Sequence, residues 1–73
     1  MKISRQTARR TGDRLKVDWD IVSLSQFTMG MNVELEHRDV TRGSLVMTGR
    51  IALAHLYEIP DYYTRLARME KGQ

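Results

Sequence analysis

The chain has 73 residues, room for one domain and no more. It contains no cysteine, which excludes a disulfide framework, a thiolate nucleophile and a cysteine-ligated zinc site. Its net charge of +3 conceals an asymmetry: residues 1–16 carry six basic side chains against Asp13 alone, while the remainder carry six basic against eight acidic ones.

In chain order, Ser4 can cap a first helix reaching about Leu15. Its apolar face is thin (Ile3, Ala8 and Leu15), and Gly12 weakens its end, so a short or frayed helix is expected. Residues 17–22 read as a connector in which Asp18 or Asp20 caps a turn and Trp19 covers one edge of the core. Ser23 and Gln26 match a capping box, in which each side chain satisfies the other's free backbone N–H. Leu24, Phe27, Met31 and Leu35 then recur at the spacing of a buried helical stripe, predicting a second helix to about Glu36 or His37.

Arg38 to Met47 is the longest break, with Val40, Leu45 and Val46 folding back onto the core. Thr48 is the predicted cap of a third, central helix over 49–58, apolar around much of its circumference. Pro60 ends it and suits the first turn of a fourth, in which Tyr62, Leu66 and Met69 form the inward stripe. Met29, Met31 and Met47 read as core filler like Met69. The expected architecture is all-α: a single domain of three to four helices around a central antiparallel hairpin of helices two and three. Residues 1–16 form its basic N-terminal part and 17–70 its core.

Three stretches carry a resemblance: Val33-Glu34-Leu35-Glu36-His37, Thr48 to Leu56, and Glu58 to Leu66. Together they resemble a family of short bacterial and phage proteins classed as a domain of unknown function. The resemblance covers roughly residues 12–70. It implies a self-contained domain of bacterial or phage source, no assigned activity, and interest in His37, His55 and the carboxylates near them.

The sharpest constellation is a mirrored pair, Glu34-x-x-His37 late on helix two and His55-x-x-Glu58 late on helix three. Spacing of three puts each pair on one helix face, and carboxylate and imidazole ligands on facing helices are how helical bundles hold zinc, manganese or iron. Against this, an antiparallel hairpin brings Glu34, His37, His55 and Glu58 together only if it is offset by about a turn. The simpler reading makes Glu34 and Glu36 surface charges, His37 a helix-end residue, and His55 a core-edge histidine bonded to Glu34 or Glu58.

Arg5 and Arg9, and Arg10 and Arg14, are four apart and line helix faces suited to phosphates or an acidic protein surface. No aromatic residue is interleaved for base stacking. A solvated face, or a strap paired with the acidic body, is the simpler reading. Tyr57, Tyr62 and Tyr63 cluster around Pro60, with Tyr62 expected inward and Tyr57 and Tyr63 closing the corner. A phosphate-binding glycine loop, a nucleophile elbow, H-E-x-x-H and a calcium loop are all absent from the sequence.

The expectation is therefore a non-enzymatic interaction module that binds a protein partner or a second copy of itself, without a cofactor. Its surface comprises Arg5, Arg9, Arg10, Arg14, Glu36 and Tyr63. A metal-binding hairpin holding zinc, manganese or iron is the first alternative, and nucleic-acid contact through the N-terminal arginines the second. The charged start is not followed by an apolar run, so no signal peptide or membrane span is expected. The expected location is cytoplasmic, in a bacterial or phage-infected cell, or the virion.

Overall fold

The computed structural model describes residues 2–36 and 44–72, and among them the chain forms four helices and no strand. These are α1 (Arg5–Arg14), α2 (Leu24–Leu35), α3 (Leu45–Glu58) and α4 (Tyr62–Lys71). The all-α expectation holds, and no described helix is long and apolar enough to cross a membrane.

α1 is a complete helix of 10 residues, because its packing comes from small groups and not from a broad apolar stripe. Ser4 Oγ accepts from the Thr7 N–H at 3.1 Å, and Ala8, Thr11 and Gly12 are buried. Gly12 lets the Trp19 ring lie directly on the helix, where any β-carbon would collide with it. Trp19 in turn meets Phe27 edge-on at 5.6 Å and donates its indole N–H to Asp13 at 2.8 Å. The helix stops in a Schellman arrangement: Val17 N–H donates to the Gly12 carbonyl and Lys16 N–H to that of Asp13. Lys16 therefore sits at φ 61, the left-handed region that glycine normally occupies.

Ahead of α1, residues 2–4 form an extended strap. Ile3 is buried, and its backbone is held at both ends by one side chain of α2. Its N–H donates to Asn32 Oδ1 at 2.7 Å, and Asn32 Nδ2 donates to its carbonyl at 3.0 Å.

Ser23 caps α2 as expected, accepting from the Gln26 N–H at 3.2 Å. The reciprocal half of the capping box is not made, because the Gln26 amide donates instead to the Thr64 hydroxyl on α4. Phe27, Met31 and Leu35 are buried and Leu24 is half-buried, as the stripe predicts.

α3 begins earlier than the sequence suggests. Ser44, not Thr48, is its cap, accepting from the Met47 N–H at 3.2 Å, and Leu45 to Met47 are helical. Thr48 is fully buried one turn in, its hydroxyl donating to the Ser44 carbonyl. Gly49, which read as a boundary, is a packing site: a β-carbon there would press on Leu15, Phe27 and Thr11. Val40 lies outside the described residues.

Pro60 stands in the turn before α4, and Asp61 is the cap residue without a side-chain cap bond, its carboxylate taken up by Arg65 Nε at 2.7 Å. With that start the inward position falls on Tyr63, which is 1% exposed, while Tyr62 is half-buried and Met69 exposed. Of Met29, Met31, Met47 and Met69 only Met31 fills the core; Met29 and Met47 are exposed as well.

α2 and α3 share the broadest helix–helix contact. Phe27 faces Gly49 across it, and seven residues further along α2 Glu34 meets His55, six residues further along α3, so the two helices run in the same direction and do not form the antiparallel hairpin expected. This register sets the site.

Candidate functional site

Glu34 lies on the inner face of α2 between Met31 and Leu35 and is 8% exposed, which corrects its reading as a surface charge. A carboxylate buried to this degree requires donors. The Tyr63 hydroxyl of α4 supplies one, donating to Glu34 Oε2 at 2.9 Å. The tyrosine ring can reach that position because Gly30, one turn before Glu34, has no side chain; a methyl there would overlap the ring.

His55 of α3 completes the group. Its Nδ1 lies 2.9 Å from the Ile51 carbonyl, an acceptor only, so Nδ1 carries the proton in that contact. The Tyr63 oxygen, at 3.4 Å, and Glu34 Oε2, at 3.6 Å, flank the same nitrogen. In the neutral ring Nε2 is then the unprotonated nitrogen. Tyr62 stacks on the imidazole at 4.6 Å between centroids, and Tyr63 meets it edge-on at 6.1 Å. The two tyrosines pack edge-on against each other at 5.0 Å.

Burial raises the pKa of Tyr63, and its hydrogen bond to Glu34 and that residue's charge raise it further. The phenol is therefore held neutral as a donor. This is the opposite of the activation that a nucleophilic or general-base tyrosine needs.

Of the four residues expected to share a metal, the structure brings Glu34 and His55 together. Glu58 is exposed beyond His55, and His37 lies outside the described residues. Among the described residues no three His, Asp or Glu side chains gather as a cation site. The facing atoms of Glu34 and His55 already have protein partners, so they act here as an internal hydrogen-bond network.

Tyr63, expected on the partner-binding surface, is buried at the centre of this group. Its helical phase hid it, and the one available signal was a glycine on the inner face of α2, a mark of close approach. The other expected surface residues are outside: Arg5, Arg9, Arg10, Arg14 and Glu36 are all exposed. Arg5 and Arg9, and Arg10 and Arg14, form two exposed stripes that together span about half of the circumference of α1, outside buried Ala8, Thr11 and Gly12. Among the described residues their one ion pair is Arg9–Asp13, within the helix at 3.9 Å. Tyr57 is also exposed.

A family model described as "Protein of unknown function (DUF5661)" matches residues 8–72. No curated protein and no solved structure matches the chain.

Proposed function

The chain belongs to the DUF5661 family of proteins of unknown function, and we propose that it is a non-enzymatic interaction module that docks on an acidic protein surface. The observation that carries this reading is the outward face of α1. Small buried residues fix the helix to the body, and Arg5, Arg9, Arg10 and Arg14 turn outward without pairing with the acidic side chains described elsewhere in the body. An ordered basic face of this kind favours encounter with a negatively charged partner. The setting we propose is bacterial or phage, as a virion accessory protein or an inhibitor of a host factor.

The test is to replace the four arginines by glutamine and compare capture of a partner from bacterial lysate. Loss of a stoichiometric partner with an unchanged melting curve supports the reading. Capture that survives the replacement overturns the role given to α1.

The same arginines favour a second reading, contact with nucleic acid. It predicts binding to oligonucleotides whose affinity falls steeply with salt and disappears in the glutamine variant.

A further inference from the structure

The outer side of α2 is bordered by two open grooves that share Met29. One runs between α2 and the strap, lined by Ile3, Met29, Val33 and Leu35, with Lys2, Arg5 and Glu36 at its rim. The other runs between α2 and α4, lined by Met29, Thr64 and Ala67, with Arg68, Lys71 and Glu70 around it. The first encloses about 1020 Å³, at the upper end of ordinary small-molecule sites, and it is an open trough, not a closed cavity. The ridge from Ser25 through Met29 and Val33 to Glu36 spans three turns, about 16 Å at a rise of 1.5 Å per residue. That length matches the apolar stripe of a docked helix, which engages a groove through residues at spacings of three and four.

Charge selects among helices. Four cations, Lys2, Arg5, Arg68 and Lys71, flank the ridge against two carboxylates, Glu36 and Glu70. The strap groove also continues through Arg5 into the arginine face of α1. The exposed lining is mainly apolar, with Ser25, Thr28 and Asn32 among it, and neither groove is lined by an aromatic ring on which a base would stack.

We propose that the Met29 ridge and its two grooves form the docking site for an acidic amphipathic helix of a partner protein. Leucine-type side chains of that helix enter the grooves on either side of Met29, and its carboxylates meet Lys2 and Arg5 along one edge and Arg68 and Lys71 along the other. This rests on the reading of the chain as an interaction module and adds to it where the partner sits and what it is made of. Met29 can serve as an adaptable contact because its thioether side chain is unbranched and already at the surface.

The probe is a synthetic amphipathic helical peptide of about five turns, with a leucine stripe and glutamates elsewhere, titrated into the isotopically labelled full chain. The expected result is amide shifts confined to residues 2–5, 25–36 and 64–71. Binding should weaken about tenfold or more in Met29→Glu and in Ala67→Glu, both at exposed positions, with the melting curve of each variant checked to be unchanged. A lysine version of the peptide should bind far more weakly. Shifts on another face, equal binding of the lysine version, preferential binding of an oligonucleotide, or no binding at millimolar peptide would each overturn the proposal. A lysate partner whose capture needs the α1 arginines yet survives Met29→Glu would sink this site alone, leaving the interaction reading in place.

Discussion

The Tyr63 hydroxyl donates to the Glu34 carboxylate across 29 residues of chain, joining α4 to α2 at the point where both are buried. Replacing Tyr63 by Phe keeps the ring and removes the donor from a buried charge, which should cost about 1.5–3 kcal/mol. In a domain of this size that lowers the melting temperature by about 6–24 °C, at about 4–8 °C per kcal/mol. A double-mutant cycle with Glu34→Gln should show coupling well beyond the ~0.5 kcal/mol seen for independent sites. Additive losses would mean that the bond contributes nothing of its own.

The same bond sets an alkaline limit on stability. Tyrosine ionises near 10.0 in an unconstrained chain, and in the fold burial and Glu34 raise that value for Tyr63. Below pH 10 both states hold the proton and the contribution of Tyr63 is fully present. Above it the unfolded chain loses the proton first, so stability falls as pH rises, by up to about 1.4 kcal/mol per pH unit. Denaturant midpoints across this range should show that fall in the parent protein and a shallower one in Tyr63→Phe. Identical slopes would show that Tyr63 ionises freely.

Two single substitutions should move stability in opposite directions. Gly30→Ala improves helix propensity by about 1 kcal/mol, but its methyl meets the Tyr63 ring, and overpacking of about 1–3 kcal/mol should dominate. Lys16→Gly relieves a left-handed lysine at the end of α1 and should stabilise by about 1 kcal/mol. Chemical denaturation of both variants checks the pair, and a stabilised Gly30→Ala would show that the tyrosine ring gives way without loss.

The register of these helices was only partly legible in the sequence. The Ser4 and Ser23 caps and the stripe of Phe27, Met31 and Leu35 follow from local chemistry and appear where expected. The start of α3 does not, because Ser44 and Thr48 are both good caps and a glycine next to each suggests a boundary. Gly49 is small because other helices press on it, a tertiary fact with no local signature. Placing the inward stripe of α4 on Tyr62 instead of Tyr63 is an error of one residue, about 100° of helix phase. The pairing of Glu34 with His55 was among the sequence expectations; the donor to that carboxylate, Tyr63, was not.

Metal should have no hold on this network as it stands. Binding at His55 Nδ1 and Glu34 Oε2 would require breaking the bonds to Ile51 and Tyr63, and the unprotonated Nε2 offers a metal a single ligand, since no three His, Asp or Glu side chains gather among the described residues. The melting temperature of untagged protein should therefore be the same with zinc, manganese or iron(II) added and with chelator. A melting point lowered by chelator, together with near-stoichiometric metal by elemental mass spectrometry, would restore the hairpin of Glu34, His37, His55 and Glu58 as a metal centre.

The grip of Asn32 on Ile3 gives the strap a clock of its own. The Ile3 amide belongs to no helix, yet its hydrogen is tied to a side chain 29 residues away. Solvent can replace that hydrogen when the strap lifts, without any helix having to open. Its exchange rate with deuterated water thus measures a local opening separately from the global unfolding that the α2 core amides report. Because the lifting strap carries away one wall of the groove beside Met29, that rate also measures how often the wall is absent.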